Sequence, residues 1–325
     1  MSEITIIIPI FNAEKTLEKC VFSIFDQTFK NYNVIFIDDG STDKSSNIYL
    51  HFVENDKRFS VYFQENKGPS AARNLGLKMS LSPYVVFIDS DDYLNKNYLE
   101  YLYRGMVKNK SDLICSGYYE IDKNERQIAV NDYKMFSKVN ITKEEFIRSL
   151  FKGTSGVLWT KMFKRKIIIE NNITFDERVK MSEDLIFNLK YVMFCSKITI
   201  LNNFLYYYNR FDANGISSNQ NIDYLRYVNI TNDVIEKTFL KFNITVLDIE
   251  SIKYQRIWNL LKSIIFNSTL NELKILYSDK YINSNLQFLI ANNKLDNLIL
   301  KLFKKQKLNL LFLLIFPLKL KRYYK

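Results

Sequence analysis

Residues 84–92 read Tyr-Val-Val-Phe-Ile-Asp-Ser-Asp-Asp, an unbroken apolar run that ends in three carboxylates. Strands that helices cover on both faces have such continuous apolar runs. Similar runs occur at 4–9, 33–37 and 59–63, and the stretches between them space their apolar residues as helices do. This alternation predicts an α/β domain with a mostly parallel central sheet flanked by helices.

Acidic residues follow two of these predicted strands, as Asp38-Asp39 and as the cluster Asp89-Ser90-Asp91-Asp92. Ligands of parallel sheets bind beyond the carboxyl ends of the strands. The cluster at 89–92 offers hard oxygen ligands that suit Mg²⁺ or Mn²⁺, and such a cation could hold a diphosphate. An acidic turn at a helix start and a phosphatase with Asp89 as nucleophile are the alternatives.

Three other segments could carry chemistry. Asp39 could accept a hydrogen bond from a nucleobase N–H, although a simple strand-to-helix turn is the alternative. Residues 66–76 place small residues at a helix start, and Lys67 and Arg73 supply cations there. This segment is neither a P-loop nor a GxGxxG motif, which argues against an ATPase or a dehydrogenase. Glu183-Asp184 begins another predicted helix, where acids also complement the helix dipole.

The histidine and cysteine content excludes several kinds of site. The one histidine, His51, argues against a Ser-His pair and against a multi-histidine metal site. Cys20, Cys115 and Cys195 show neither a disulfide framework nor zinc-site spacing, which indicates a reducing compartment. The chemistry that remains is carboxylate chemistry.

The net charge of +11 is concentrated at the end of the chain. Residues 297–325 hold eight basic residues and no acid, whereas the first 296 residues hold 38 basic and 35 acidic ones. This terminal block argues against a nucleic-acid binder, whose basic residues would spread over a folded face.

No signal peptide opens the chain and the apolar run at 310–318 is too short to span a bilayer, so we expect a cytoplasmic protein.

The same terminal block predicts a membrane contact. A basic, apolar helix could lie on an anionic membrane surface and place the protein peripherally on the inner face of the cell membrane. Pro317 is expected to end this helix. The alternatives are a helix that packs on the protein and a contact within a homo-oligomer.

Taken together, the motifs closely resemble those of the family 2 glycosyltransferases, enzymes of the GT-A fold. The matching segments occur in family order at 6–12, 23–29, 37–43, 67–76, 87–92, 161–163 and 183–184. The resemblance covers about residues 3–215 and implies a Rossmann-like GT-A domain that binds the nucleotide-sugar. We place this domain at residues 1–218 and a C-terminal all-helical extension at 219–325.

The resemblance also implies a role for each motif residue. Asp184 would be the catalytic base, and Asp89 and Asp91 would hold Mn²⁺ or Mg²⁺, with Asp92 sharing this work. Asp39 would accept from the uracil N3–H. The residues expected to contact the nucleotide are Pro9, Phe11, Asn12, Asp39, Lys67, Arg73, Asp89 and Ser90.

Two departures from the family pattern limit this assignment. Ser182 stands where many members have a glycine before Glu-Asp. The QxxRW motif of processive synthases is missing, since Gln255-Arg256-Ile257-Trp258 has the wrong spacing. A polymer-extruding synthase is therefore not expected.

These features predict an inverting, metal-dependent glycosyltransferase. It would move a sugar from a UDP-sugar to a glycan or lipid-linked acceptor in bacterial capsule or cell-surface polysaccharide synthesis. The base would take the proton of the acceptor hydroxyl, and the metal would stabilise the departing diphosphate. The alternative is a catalytically silent protein that binds sugar nucleotides or glycans on the same fold. Trp159, Phe175 and Tyr206–Tyr208 could stack on sugars, or could pack in the core.

Overall fold

The computed structural model describes residues 2–133, 139–151, 156–210, 224–245, 247–289, 291 and 293–323. The chain divides into two compact units, Met1–Ala213 and Asn214–Lys325. The boundary predicted between residues 218 and 219 lies outside the described residues.

Strands and helices alternate at the start of the first unit, as the apolar runs predict. The elements in chain order are β1 (Ile4–Ile10), α1 (Leu17–Phe25), β2 (Tyr32–Asp38), α2 (Ser45–Asn55), β3 (Phe59–Phe63), α3 (Pro69–Met79), β4 (Tyr84–Phe87), β5 (Tyr93–Leu94) and α4 (Tyr98–Asn109). Pro69 at the first turn of α3 suits a helix start, because that turn needs no intrahelical N–H bond.

Short strands and helices complete the first unit. They are β6 (Leu113–Ile121), β7 (Gln127–Asn131), β8 (Asn140–Ile141), α5 (Lys143–Leu150), β9 (Lys161–Lys164), α6 (Arg165–Glu170), α7 (Glu183–Val192) and β10 (Ile198–Asn209). Thr142 and Glu145 form a reciprocal capping box at the start of α5, in which each side chain accepts from the other residue's backbone N–H.

The described strands form one sheet in the order β3-β2-β1-β4-β9-β6-β10-β5, with β7 beside β6 and β8 beside β10. Strands β1 to β4 are parallel to one another. Strand β9 is antiparallel to both β4 and β6, and β10 is parallel to β6. The carboxyl ends of β1, β2, β4, β6 and β10 therefore lie at one edge of the sheet. The expectation of a mostly parallel α/β sheet is confirmed.

Helices cover both faces of this sheet. Ile4, Ile6 and Ile8 of β1 face a large core that includes residues of α1, α2 and α4. Ile7 points to the other face, against α3, and a Cβ on Gly76 would collide with the Ile7 side chain. The glycine lets α3 approach β1 closely, and this approach fixes the start of α3 at the sheet edge.

Every element described after residue 223 is helical, as predicted. The helices are α8 (Tyr224–Lys241), α9 (Ile249–Asn267), α10 (Leu270–Ser278), α11 (Lys280–Asn285), α12 (Lys294–Lys304) and α13 (Leu308–Tyr323), with a 3₁₀ turn at Leu286–Phe288. The prediction that Pro317 ends the last helix is wrong, because α13 continues to Tyr323. A proline removes one helical N–H bond, and the flanking turns of α13 keep theirs. Across the described residues, none of the helices has the length and hydropathy needed to cross a membrane.

Candidate active site

Arg73, near the start of α3, lies among carboxylates from two distant segments. Its side chain is buried, and Nη2 donates to Asp89 Oδ1 at 2.9 Å. Nη1 donates to Glu183 Oε1 at 3.1 Å and lies 3.5 Å from Asp184 Oδ1. Burial lowers the pKa of Arg73, but the charges of these carboxylates outweigh burial and raise the pKa above its ordinary value. The guanidinium therefore remains charged and holds the two acidic segments together.

An unusual backbone turn presents the acidic pair to Arg73. Ser182 precedes α7 in the left-handed region, with φ 71° and ψ 16°. Residues with a Cβ disfavour this conformation, which explains why a glycine would suit the position. Glu183 and Asp184 form the first turn of α7, where the helix dipole favours negative charge.

Asp184 has the properties of a proton acceptor. Burial raises the pKa of its carboxyl well above the ordinary value, the charge of Glu183 raises it further, and Arg73 opposes both. Oδ1 is buried without a hydrogen-bond partner among the described residues, although the side chain as a whole remains 22% exposed. A carboxylate with a raised pKa, and with an oxygen that makes only a 3.5 Å ion contact with Arg73, is suited to general-base chemistry.

The acidic loop after β4 is anchored from β10. Asp92 is buried, its Oδ2 accepts from the Tyr206 hydroxyl at 2.6 Å, and its Oδ1 accepts from the Asn209 backbone at 2.8 Å. Burial, with the charges of Asp91 and Asp89, raises the pKa of Asp92 well above its ordinary value. Asp91 is exposed and Asp89 is partly exposed. The three carboxylates are therefore not equivalent.

This loop has a donor set that fits a divalent cation. Carboxylate oxygens of Asp89, Asp91 and Asp92 lie within 4.8 Å of one another. An all-oxygen set suits Mg²⁺ or Mn²⁺, and a cation would offset the mutual repulsion that raises the pKa of such neighbours. Because Asp92 already accepts two protein hydrogen bonds, Asp89 and Asp91 are the better candidates for ligands.

The structure separates the roles of Asp38 and Asp39. Asp38 Oδ2 accepts from the Tyr49 hydroxyl at 2.6 Å, so this carboxylate fastens α2 to the sheet. Asp39 instead accepts from Gln64 Nε2 at 2.6 Å and from the backbone N–H groups of Lys67 and Gly68, each at 2.8 Å. Asp39 thus positions the loop that leads into α3. The role proposed for it toward a nucleobase stays a prediction.

The loop after β1 adjoins the loop after β2. Asn12 has a left-handed φ of 50°, and its Oδ1 accepts from the Thr42 backbone N–H at 2.8 Å. Phe11 beside it is 49% exposed, and Pro9 lies partly exposed within β1. The nucleotide-contact roles predicted for these residues, and for Lys67 and Ser90, stay predictions.

The comparison with protein families now decides the classification. Residues 5–170 match the family model described as Glycosyl transferase family 2, which is half of the chain and includes Arg73 and the acidic loop. The chain belongs to glycosyl transferase family 2.

Several relatives of this family 2 chain carry names that describe an activity. Glycosyltransferase GlyA of Streptococcus pneumoniae serotype 4 is 35% identical over 213 residues, which are 63% of this chain and 30% of GlyA. TarP of Staphylococcus aureus, a poly(ribitol-phosphate) beta-N-acetylglucosaminyltransferase, is 34% identical over 213 residues, which are 64% of this chain and 62% of TarP. This chain thus spans less than two thirds of the length of either relative.

A solved structure shares the fold of this family 2 chain. The crystal structure of S. aureus TarS 1–349 in complex with UDP-GlcNAc matches with a TM-score of 0.71 at 21% identity. The match covers 100% of this chain and 93% of that chain. The GT-A architecture with a helical extension is therefore confirmed.

Sequence reasoning missed the residues that hold the site together from a distance. Glu183 was noted only beside Asp184, yet it bonds Arg73 directly. Tyr206 and Asn209 anchor Asp92 from 114 and 117 residues away, and no local motif marks them. Lys161 is fully buried, burial lowers its pKa to about 8, and its Nζ donates to the Val157 carbonyl. Glu183 and Lys161 lie in the segments 183–184 and 161–163 that the sequence singles out, although their contacts do not follow from those motifs. The contacts of Tyr206 and Asn209 follow from the pairing of β10 with β5.

Proposed function

We propose that the chain is an inverting, metal-dependent glycosyltransferase that uses a UDP-sugar. Its acceptor would be a hydroxyl of a glycan or lipid-linked glycan in the synthesis of a bacterial capsule or cell-surface polysaccharide. The observation that carries the proposal is the Arg73 cluster, which places the acidic loop and Asp184 around one buried cation. The TarS structure, solved in complex with UDP-GlcNAc, supports a nucleotide-sugar donor, and the name of TarP supports transfer of an N-acetylhexosaminyl group.

Asp184 is assigned as the base. Direct displacement at the anomeric carbon requires that the acceptor hydroxyl lose its proton during the attack, and a positioned carboxylate contributes about 10²–10⁴-fold to such a step. The raised pKa of Asp184 and the unsatisfied Oδ1 support this role. One base on one face of the sugar leads to inversion, and no covalent intermediate is required.

The acidic loop and Arg73 are assigned to the diphosphate. Asp89 and Asp91 would hold Mg²⁺ or Mn²⁺, which when bound supplies Lewis-acid stabilisation of the departing diphosphate. Arg73 supplies a fixed positive charge beside Asp89 and is suited to bind phosphate oxygens through its planar donors. Asp39 and the loops at residues 9–12 and 67–68 would hold the nucleoside.

The exposed face of α13 is assigned to an anionic membrane surface. Leu310, Leu313 and Phe316 are 54%, 67% and 48% exposed and follow one another at helical spacing. Lys305 and Lys307 are exposed just before this helix. Apolar side chains next to cations, with no acid after Asp296, are the composition of an interfacial helix.

A donor screen tests the proposed activity. The full chain would be incubated with UDP-glucose, UDP-galactose and UDP-N-acetylglucosamine in Mn²⁺, and released UDP would be measured. We expect one donor to be hydrolysed slowly by the wild type and more slowly by Asp184→Asn, with Asp56→Asn as the matched carboxylate control. Tight binding of a donor with no turnover would favour a silent binding protein. Phosphate release from p-nitrophenyl phosphate would favour a phosphatase.

A further inference from the structure

Three aromatic rings form a stack that ends beside the candidate site. Trp159 lies between two tyrosines of β10, with its ring centroid 4.3 Å from that of Tyr206 and 5.2 Å from that of Tyr208. The ring planes differ by 19° and 9°, so the three rings are nearly parallel. Tyr118 closes one side, with its ring edge-on to Trp159 at 4.5 Å.

The three rings differ in their contact with solvent. Tyr206 and Trp159 are buried, at 0% and 4% exposed, so they are core residues and could not stack on a sugar. Tyr208 is the outer ring and is only partly buried. Residues two apart on a strand share a face, which explains how Tyr206 and Tyr208 both reach Trp159. Phe175, also considered from the sequence, is 2% exposed and belongs to the core.

The outer ring lies next to the acidic loop. Asn209, the residue after Tyr208, donates its backbone N–H to Asp92 Oδ1 at 2.8 Å and its side chain to the Asp91 carbonyl at 3.3 Å. Burial raises the pKa of the Tyr208 hydroxyl, and the charges of Asp92, Asp91 and Asp89 raise it further. The Tyr208 ring therefore lies close enough to the three carboxylates to interact with their charges.

The sheet order shows which part of a substrate would reach this ring. Asp39 follows β2, the 9–12 loop lies at the end of β1, and Asp89 follows β4. Tyr208 lies at the carboxyl end of β10, at the same edge but three strands beyond β4. The acidic loop crosses this distance, because β5 follows Asp92 directly and pairs with β10 at Tyr206 and Tyr207. A nucleotide held at β2, β1 and β4 would thus have its leaving diphosphate between the nucleoside and Tyr208.

We propose that the face of Tyr208 turned away from Trp159 is the platform on which a pyranose ring of the acceptor stacks. This inference rests on the proposed function and extends it to the acceptor side of the same site. A pyranose has an apolar face of C–H groups, which complements the negative face of an aromatic ring, and it has hydroxyls that need polar partners. Tyr208 supplies the aromatic face, and the neighbouring acidic loop supplies polar partners for the hydroxyls. The buried Trp159 and Tyr206 make the platform rigid, so little side-chain entropy is lost on binding.

The variant Tyr208→Leu tests this platform because it keeps an apolar side chain and removes the aromatic ring. The probes are the octyl β-pyranosides of glucose, galactose and N-acetylglucosamine, added to full-length protein with UDP and Mn²⁺. Binding is followed by saturation-transfer NMR and by tryptophan fluorescence, since Trp159 lies directly under Tyr208. Loss of one stacking contact is expected to weaken binding of the preferred pyranoside by about tenfold.

Tyr207→Leu is the matched control. Tyr207 is the neighbouring tyrosine of β10 on the other face, where it stacks on Tyr93 at 4.6 Å. Tyr207→Leu is expected to bind the pyranosides as the wild type does, and Tyr208→Phe is expected to retain most of the affinity. UDP affinity and the unfolding temperature of each variant show whether the site and fold are intact.

The possible results separate this inference from the proposed activity. Equal pyranoside binding by Tyr208→Leu and the wild type would overturn the platform, and so would a wild type that binds none of the pyranosides. A higher KM for the UDP-sugar without weaker pyranoside binding would overturn the acceptor assignment. Failure of the wild type to hydrolyse any UDP-sugar, with pyranoside binding still dependent on Tyr208, would instead overturn the proposed activity.

Discussion

The hydroxyl of Tyr206 donates a 2.6 Å hydrogen bond to Oδ2 of Asp92, and both side chains are buried. The same hydroxyl lies 3.4 Å from the Asp89 backbone nitrogen, which donates to it. Tyr206 therefore holds the acidic loop from a strand 114 residues further along the chain. It fixes the buried end of the loop at Asp92, and so holds together three carboxylates that would otherwise repel one another.

Removal of this hydroxyl is expected to affect both stability and metal binding. Tyr206→Phe leaves Asp92 Oδ2 buried without its donor, which costs about 1–3 kcal/mol in the free energy of unfolding. The acidic loop should also hold Mn²⁺ less tightly, because Asp89 and Asp91 lose their fixed support. Denaturant unfolding and Mn²⁺ titration measure the two effects.

Tyr49→Phe is the matched control for Tyr206→Phe. Tyr49 is a buried tyrosine that donates to Asp38 Oδ2, also at 2.6 Å, but outside the acidic loop. It should lose a similar amount of stability and keep its Mn²⁺ affinity. Equal Mn²⁺ affinities for Tyr206→Phe and the wild type would show that Tyr206 has no role beyond packing.

Asp91→Asn is expected to abolish metal-dependent UDP binding while the fold remains intact. Asp91 is exposed, so its change to asparagine removes a charge at the loop and leaves the packed core unchanged. Asp26→Asn, another exposed carboxylate of the first unit, serves as the control. UDP binding is measured by calorimetry with Mn²⁺ and with a chelator. Activity that survives both the chelator and Asp91→Asn would rule out the metal assignment.

Asp184→Asn is expected to reduce turnover by about 10²–10⁴-fold, with little change in donor affinity. A base acts on the acceptor in the transition state, so its loss should appear in kcat. Glu183→Gln, which removes the neighbouring charge, is the matched variant and should retain more turnover. A loss of donor affinity as large as the loss in kcat would identify Asp184 as a nucleotide contact.

The same substitution should not destabilise the protein at neutral pH. An acid whose pKa is raised in the folded state lowers stability above its unfolded pKa, and this cost disappears as the pH falls and the acid is protonated in both states. Because the pKa of Asp184 is raised, Asp184→Asn is expected to unfold at the wild-type temperature or higher at pH 7. Its advantage should shrink toward pH 4. Thermal unfolding at both pH values checks this.

The extent to which the sequence predicted the site depends on where each contact originates. The start of α3 is a local signal, because residues 66–76 place small residues and a proline where the helix begins. The position of the Asp89–Asp92 cluster is also local, because it directly follows the apolar run of β4. The contact of Tyr206 with Asp92 depends on the pairing of β10 with β5, the short strand that follows Asp92, and only the folded sheet decides this pairing.

Local sequence also gave a wrong prediction of how strongly a proline disrupts a helix, and it did not decide which aromatic side chains are buried. Pro317 was expected to end α13, but one lost N–H bond does not outweigh a long apolar helix. Trp159 could have been a surface platform or a core residue. The burial of its ring, and the partial exposure of Tyr208, came from pairings between β9, β6 and β10 that no nearby residue encodes.

Ser182→Gly is expected to stabilise the protein relative to Ser182→Ala. The left-handed conformation at φ 71° costs an alanine about 1–2 kcal/mol, whereas a glycine adopts it freely but loses more entropy on folding. The net difference in the free energy of unfolding should be about 1 kcal/mol in favour of glycine. Comparing two variants that both lack the hydroxyl isolates the backbone effect. Equal stabilities would show that the turn relaxes without strain.

The exposed face of α13 is expected to bind anionic vesicles reversibly. Each basic residue near such a surface contributes about 1 kcal/mol, and insertion of Leu310, Leu313 and Phe316 adds an apolar contribution. Binding of the full chain to vesicles of phosphatidylglycerol and phosphatidylcholine is measured by co-sedimentation. It should weaken as salt rises from 0.05 to about 0.5 M, because the Debye length falls from roughly 14 Å to about 4 Å.

The triple variant Leu310→Ser, Leu313→Ser, Phe316→Ser separates this surface from other exposed apolar residues. The control changes Leu81, Leu240 and Ile275 to serine, since these are 66%, 71% and 61% exposed elsewhere on the protein. Because both triple variants remove exposed apolar area, a loss of non-specific hydrophobic adsorption to vesicles would affect them equally. Vesicle binding is expected to disappear in the α13 variant alone, with turnover of a soluble acceptor retained because the proposed catalytic residues precede residue 185. If the wild type ignores vesicles and the α13 variant instead dissociates an oligomer in light scattering, this face is an interface between copies of the chain.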